Sequence, residues 1–181
     1  MCEVTFRLGQ GPATVSYPDV VTHMREHAIL APTVTDVRAA VLAIRRRKGM
    51  VLDPADPDTR SVGSFFTNPV LSSARLAELQ HSTPRPVPSF PVRDGSSKVP
   101  AAWLIENAGF ARGFADGTVG LSTKHPLAIV NRGGASAREI VAFAVRIKRQ
   151  VAERFGVQLT TEPVFAGFAA DPQVAYLTGA A

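Results

Sequence analysis

The fold of this chain is interpreted from Gly63-Ser64-Phe65-Phe66-Thr67-Asn68-Pro69, which places a small hydroxyl and an amide beside two aromatic rings. The glycine lets the backbone or a ligand approach closely, and the final Asn-Pro pair predicts a turn. The two phenylalanines can exclude water. From these residue types alone, Ser64 is either a satisfied hydroxyl in a buried strand or a reactive group, and both interpretations stay open.

Size and composition limit the class of protein. The 181 residues, of which 45% are hydrophobic and 19% charged, fit one ordinary domain or one domain with a remnant of another. The single cysteine, Cys2, excludes an internal disulfide and a multi-cysteine metal site. The sequence has neither a run of eighteen apolar residues nor a secretory signal, so we predict a cytoplasmic protein without membrane insertion.

The chain is basic, with a formal net charge of +5 that suits an anionic ligand. Its densest cluster is Arg45-Arg46-Arg47-Lys48, which is either the basic last turn of a helix or a group that holds phosphate. Aromatic residues are not interleaved with this cluster, so we predict no binding of nucleic acid.

Residues 1–57 are predicted to contain two short strands at 4–8 and 13–17, followed by a brief helix opened by Pro18-Asp19. A longer helix is predicted at 35–48, where Gly49 closes it. The segment 52–60 is polar and broken by prolines. We place the main domain boundary in this linker, between residues 57 and 58.

Residues 58–168 show short strands mixed with helices, which predicts an α+β fold with a small mixed sheet packed by helices. The predicted elements are a helix capped by Ser72 or Ser73, an extended loop at 83–91, a helix at 98–110, a glycine-rich loop at 109–120, a strand at 127–130, a helix from the Ser136/Glu139 capping box to Gly156, and a strand at 157–161 that leads to Glu162. Residues 169–181 form a tail of unknown structure.

Three motifs each have a functional and a structural interpretation. His23-Met24-Arg25-Glu26-His27 matches a zinc-peptidase string, but no third ligand is evident and a surface helix is the favoured interpretation. Arg132-Gly133-Gly134 is either a phosphate cradle or a plain turn before a capped helix. The Asp53, Asp56 and Asp58 series is predicted to be a solvated loop.

Five blocks occur in a characteristic order: Gly63-Ser64-Phe65-Phe66-Thr67-Asn68-Pro69, Ala101-Ala102-Trp103-Leu104-Ile105-Glu106 with Ala108-Gly109-Phe110, Leu121-Ser122-Thr123-Lys124-His125, Val130-Asn131-Arg132-Gly133-Gly134-Ala135, and residues 159–165. Together they resemble the C-terminal half of the UDP-N-acetylenolpyruvoylglucosamine reductases, the MurB family. The resemblance covers roughly residues 1–168. It implies that residues 1–57 are the end of an FAD-binding domain and that 58–168 are the substrate-binding domain.

The resemblance implies an activity in peptidoglycan precursor synthesis. The family reduces UDP-N-acetylenolpyruvoylglucosamine to UDP-N-acetylmuramate, with hydride passing from NADPH through FAD to the vinyl carbon and a proton added to the neighbouring carbon. By position, Ser64 donates that proton. Glu162 falls on the family's second catalytic group, although its surroundings here are Thr161 and Pro163.

The same resemblance implies a set of substrate-binding residues: Tyr17, Arg45, Lys48, Asn68 and His125. The family's flavin loops and its Tyr-Arg-x-Ser block find no counterpart in this sequence. We therefore expect a partial enzyme that binds no FAD by itself, with a separate flavin-domain chain as a candidate partner. The alternative is a UDP-sugar-binding module without chemistry, or an inactive fragment.

Overall fold

A computed structural model describes residues 3–7, 9, 11–168 and 170–179, and the chain divides into two compact units. The first unit is Met1–Val51 and the second is Leu52–Ala181. The division falls at the start of the proline-broken segment in which the sequence places the domain boundary. The assignment of the two parts to a flavin domain and a substrate domain stays a prediction.

The first unit contains two helices, α1 (Pro18–Glu26) and α2 (Val34–Arg47). Their contact is apolar and involves the buried side chains of Val20, Met24, Ala40 and Ile44. Helix α2 begins with a capping box, in which the Thr33 hydroxyl and the Asp36 carboxylate each accept a hydrogen bond from the other residue's amide. The helix predicted at 35–48 is therefore confirmed within one residue at each end.

The two strands predicted near the N-terminus are wrong. The described residues among 3–17 have no helix or strand, and Leu8, part of the first prediction, lies outside them. Val4 and Phe6, whose alternation suggested a strand, are 55% and 76% exposed. A strand is stable only when a neighbour pairs with its backbone, and alternation in the sequence does not supply that neighbour.

Within the described residues, the second unit has two small antiparallel sheets. The first has the order β1-β7-β6-β5 and the second β2-β4-β3. The strands are β1 (Ser61–Ser64), β2 (Val70–Leu71), β3 (Phe90–Pro91), β4 (Ser97–Lys98), β5 (Ala115–Asp116), β6 (Val119–Leu121) and β7 (Ala128–Asn131).

The described residues of this unit also form four α-helices: α3 (Ser73–His81), α4 (Ala101–Asn107), α5 (Ala137–Phe155) and α6 (Pro172–Thr178). Helix α5 lies against β6, β7 and α4, and its apolar face is part of the main core. The predicted Ser136/Glu139 capping box and the stop at Gly156, which has a φ of 60°, are both confirmed. The α+β class is confirmed as well.

The segment between α3 and α4 differs from its prediction. Strand β3 lies inside the stretch predicted to be irregular, where Pro91 is tolerated because β3 is an edge strand of its sheet. Strand β4 takes up the first residues of the helix predicted at 98–110. Pro100 then precedes the first turn, so helix α4 covers only Ala101–Asn107.

Two further predictions are wrong in detail. The glycine-rich loop at 109–120 contains the β5–β6 hairpin. The strand predicted at 157–161 pairs only through one isolated bridge, between Phe66 and Thr161, although Val157 and Leu159 are buried. The alternating sequence pattern indicates only that Val157 and Leu159 are buried. Their side chains can be buried without a continuous row of backbone hydrogen bonds to a neighbouring strand.

The tail after residue 168 contains helix α6, capped by Asp171, whereas Ala169, Ala180 and Ala181 lie outside the described residues. Lys148 of α5 is only 6% exposed and donates hydrogen bonds to the carbonyls of Tyr176 and Leu177, each at 2.9 Å. Burial lowers the pKa of Lys148. The carbonyls at the end of α6 are favourable partners for this cation, and they fix α6 to α5.

Candidate functional site

Ser64 is the last residue of β1, which pairs with β7 so that Ser61 is opposite Val130 and Ser64 is opposite Ala128. The register shifts between these two pairs. Gly63 lies at the shift with a φ of 86°, a left-handed value that other residues adopt only with strain. The irregularity therefore depends on Gly63, and such irregularities can redirect the side chain that follows them.

Two buried aromatic residues follow Ser64 directly in the chain. Phe65 and Phe66 are 2% and 1% exposed, and the Phe65 ring also packs against Phe165, with centroids 6.2 Å apart. Ser64 itself is half-buried, and its hydroxyl makes no hydrogen bond within the part of the chain that the structure describes. A hydroxyl held in this way can approach a ligand without first breaking a bond within the protein.

The segment that carries Glu162 lies beside the end of β1. The Glu162 amide donates to the carbonyl of Phe65 at 3.0 Å, and the Thr67 amide donates to the carbonyl of Thr160 at 2.9 Å. These two bonds flank the Phe66–Thr161 bridge. The Glu162 side chain is exposed to solvent. The two residues predicted to be catalytic therefore lie on directly neighbouring segments.

His125 lies in the turn that leads into β7, the strand that pairs with β1. The Phe65 amide donates to the carbonyl of Leu127 at 2.8 Å, which joins this turn to the Ser64 strand. The His125 Nδ1 atom accepts a hydrogen bond from the Leu127 amide at 3.1 Å. In the neutral ring the proton is therefore on Nε2, which makes Nε2 a hydrogen-bond donor.

Two residues that sequence reasoning missed hold this turn. Ser122 is fully buried, and its hydroxyl accepts hydrogen bonds from the amides of Lys124 and His125. The Asp58 carboxylate is 4% exposed and accepts hydrogen bonds from the amide and the hydroxyl of Thr123. The prediction that Asp58 is solvated is wrong. The Ser-Thr-Lys-His-Pro run is a turn signal, but nothing local indicates which carboxylate braces it.

Lys124 and Asp56 form an ion pair across the same turn. The bond to Lys124 is the main reason that the pKa of Asp56 lies below its ordinary value of 3.8, and the pKa of Lys124 is raised by the same contact. The ion pair links the segment before β1 to the His125 turn.

We expect Asp56→Asn to lower the free energy of unfolding near neutral pH. A carboxyl with a lowered folded-state pKa stabilises the fold above its unfolded pKa, and this contribution is lost as the pH falls through the folded pKa. The difference in the free energy of unfolding between the variant and the unsubstituted protein should therefore shrink as the pH falls below 3.8, the ordinary pKa of this carboxyl. Urea unfolding over a pH series measures it. Asp94→Asn removes an exposed carboxylate that makes no ion pair among the described residues, so it is the control for the loss of one negative charge. An Asp56→Asn effect independent of pH would contradict the prediction.

Asn68 contributes to the packing of the second unit. Its Oδ1 atom accepts a hydrogen bond from the Ala101 amide at 2.8 Å, at the start of helix α4. This bond satisfies one of the amides that a helix leaves unpaired at its N-terminus. The residue is exposed, so its Nδ2 group is the part that can donate to a ligand.

The other predicted substrate-binding residues lie in the Met1–Val51 unit. Tyr17 precedes helix α1 and is 63% exposed. Arg45 is exposed in the last turn of α2, and Lys48 follows that helix and forms an ion pair of 2.5 Å with Asp19. Backbone hydrogen bonds therefore join the segments that carry Ser64, His125 and Glu162. Tyr17, Arg45 and Lys48 belong to the first unit.

The glycine turn at residues 132–134 and the histidine pair at residues 23 and 27 both have structural explanations. The Gly133 and Ala135 amides donate to the Asn131 side chain, and Glu139 accepts from the Ser136 amide, so protein groups already satisfy these three amides of the turn. The His23 and His27 rings stack with centroids 4.0 Å apart. Among the described residues, no group of three or more His, Cys, Asp or Glu side chains could hold a metal ion.

The helices formed by the same described residues include no candidate membrane span. None of them combines the length with the apolar character that a membrane span requires.

Comparison with known proteins places the second unit in one family. The profile of the C-terminal domain of UDP-N-acetylenolpyruvoylglucosamine reductase matches residues 53–166. The reductase of that name from Thermobifida fusca is 46% identical over 176 residues, which are 92% of this chain and 49% of that protein. The Mycolicibacterium gilvum reductase is 46% identical over 157 residues, 86% of this chain and 45% of that protein. The chain spans about half the length of the curated relatives it matches.

Proposed function

Because this chain belongs to the family of UDP-N-acetylenolpyruvoylglucosamine reductases, we propose that it supplies the substrate-binding and proton-donating part of that reaction. The reaction reduces the enolpyruvyl group of a UDP-sugar to give UDP-N-acetylmuramate, in peptidoglycan precursor synthesis in the cytoplasm. The observation that supports the proposal best is the backbone pairing around Ser64. Phe65, directly after Ser64, donates through its amide to Leu127 of the His125 turn and accepts through its carbonyl from the Glu162 amide.

In the proposed mechanism, Ser64 donates a proton to the carbon next to the one that receives hydride. A hydroxyl is a weak acid, so it donates efficiently only when the neighbouring carbon carries the developing negative charge of an enolate. The buried rings of Phe65 and Phe66 exclude water from one side and so limit unproductive protonation. We assign the second catalytic role, stabilisation of the charged intermediate, to Glu162 on the neighbouring segment.

In the second unit, we assign Asn68 and His125 to the sugar part of the substrate, and Asn68 can donate through its Nδ2 group. In the first unit, Arg45 and Lys48 stay the residues that the family resemblance assigns to the diphosphate, and Tyr17 the one that it assigns to the nucleotide. The Lys48–Asp19 ion pair is partly exposed, and such pairs contribute only about 0–1 kcal/mol, so exchanging Asp19 for a diphosphate costs little.

The described residues do not fit the flavin that the family uses. The N-terminus of α2 carries the Thr33–Asp36 capping box, which satisfies the first amides and puts a negative charge where a diphosphate would bind. Helix α1 begins with Pro18 and Asp19, which also disfavour an anion there. We therefore assign no hydride-transfer step to residues of this chain, and NADPH oxidation requires a flavin-binding polypeptide.

We expect the purified 181-residue chain to show no flavin absorbance and no substrate-dependent oxidation of NADPH, because neither helix N-terminus of its first unit fits the diphosphate of FAD. Calorimetry with UDP-N-acetylenolpyruvoylglucosamine should still give heat of binding, and Asn68→Ala should reduce it. Turnover by the chain alone would contradict the assignment of the hydride step elsewhere. Absence of both heat and a thermal shift would contradict the substrate-binding role and leave an inactive fragment.

A further inference from the structure

A surface depression lies at the far end of helix α4 from the one that Asn68 caps. It has a volume of about 350 Å³ and lies between the loop after α3, the last residues of α4 and the end of α5. Its lining includes Trp103, Asn107, Arg85 and Arg154. None of the residues assigned above to substrate binding or catalysis lines it.

The depression combines cations with aromatic rings. The Trp103 ring packs against Phe155 with centroids 5.7 Å apart, and the guanidinium carbon of Arg154 lies 5.6 Å from the Phe155 centroid. Aromatic side chains bind planar rings by stacking, and guanidinium groups bind phosphate through paired hydrogen bonds. Both kinds of group are present at one place.

The two arginines of the depression lack anionic partners within the part of the chain that the structure describes, since neither makes an ion pair there. Arg75, Arg112 and Arg146, in contrast, each form one. Glu106 also lines the depression, but Arg112 pairs with it at 3.2 Å and offsets its charge. The depression therefore has a net positive charge available to a ligand.

The rim of the depression is held in place by internal hydrogen bonds. The Thr83 hydroxyl donates to the carbonyl of Leu79 at 3.0 Å, and Gln80 donates to the carbonyl of Arg85 at 3.3 Å. On the opposite side, Asn107 donates to the carbonyl of Trp103 at 2.8 Å. A site that is already ordered loses little conformational entropy when a ligand binds.

We propose that this depression binds a small planar aromatic anion that carries a phosphate, of the size of a mononucleotide. The aromatic ring stacks at Trp103, and the phosphate lies between Arg85 and Arg154. The site is distinct from the Ser64 region, and the proposal does not depend on the enzymatic role proposed above.

The fluorescence of Trp103 tests the proposal directly, because it is the only tryptophan in the chain. With AMP as the probe, at about 0.15 M ionic strength, we expect saturable quenching and a matching heat in calorimetry. Adenosine and ribose 5-phosphate each keep only one of the two recognition elements. Each should bind about tenfold or more weakly than AMP, since one charge-assisted contact or one stacked ring accounts for a difference of this size.

Substitutions separate this site from other basic surfaces. Arg85→Gln and Arg154→Gln should each weaken AMP binding about tenfold, whereas Arg47→Gln in the first unit should leave it unchanged. All three arginines are exposed, so circular dichroism should show unaltered folding. Ser64→Ala and Asn68→Ala should retain AMP binding. No saturable signal up to about 5 mM AMP would overturn the proposal. Equal binding by the two arginine variants and the unsubstituted protein would overturn it too.

Discussion

Ser64→Ala is expected to lower substrate-dependent NADPH oxidation by about 10²–10⁴-fold in an enzyme reconstituted with a flavin-binding half, the range for loss of a positioned general acid. The expectation follows from the placement of Ser64. Ser64 is half-buried and directly precedes Phe65, whose backbone is hydrogen-bonded to the His125 turn and to the Glu162 segment. Alanine fits the same backbone and leaves this environment intact, so the loss should appear in kcat with little change in KM.

Ser61→Ala is the matched control for this substitution. Ser61 begins the same strand, and its hydroxyl accepts a hydrogen bond from the Gly63 amide at 3.2 Å, so its removal perturbs β1 more than the loss of Ser64 does. We expect the Ser61 variant to keep most of its activity. If Ser64→Ala kept its rate, or if both variants lost activity equally, the assignment of the proton donor to Ser64 would be incorrect.

Local sequence signals predicted helices α2 and α5 well, whereas α4 is shorter than its prediction and α6 was not predicted. Helix α5 has a capping box, one apolar stripe and a closing glycine, and each of these features depends on residues within a few positions of one another. Helix α2 has the same kinds of signal. The weak predictions concern strands, because pairing depends on segments far apart in sequence. Residues 4–7 alternate without a partner, whereas β5 and β6 pair in a stretch that reads as a loop.

The candidate site shows the same limit. The resemblance carried Ser64, Glu162 and His125 onto one site, and their backbones do lie on adjacent segments. Sequence reasoning did not reveal that Asp58 braces the turn that carries His125. The bond from Thr123 to Asp58 joins residues 65 positions apart, and a buried aspartate has the same sequence context as a solvated one. Only the packed structure identifies such a partner.

Within the Arg132-Gly133-Gly134 motif, the side chain of Arg132 has the clearest structural role. Its Nη2 atom donates to the carbonyl of Leu121 at 2.9 Å and to that of Gly113 at 3.3 Å, which joins β7 to the β5–β6 hairpin. Gly120 lies directly against this side chain. A methyl group at Gly120 would come within 2.7 Å of the Arg132 Nε atom and even closer to the carbonyl oxygen of Phe114. The second neighbour is backbone and cannot rotate away.

Gly120→Ala is therefore expected to lower the free energy of unfolding by about 3 kcal/mol, the upper part of the usual range for overpacking, because the hairpin must separate from Arg132. Urea unfolding followed by the fluorescence of Trp103 measures the change. Gly117→Ala is the matched control in the same hairpin. Gly117 has a φ of 61° and open space around it, so alanine there brings only backbone strain, about 1–2 kcal/mol. If Gly120→Ala cost no more than Gly117→Ala, the close approach of Arg132 and Phe114 would not be what requires glycine at this position.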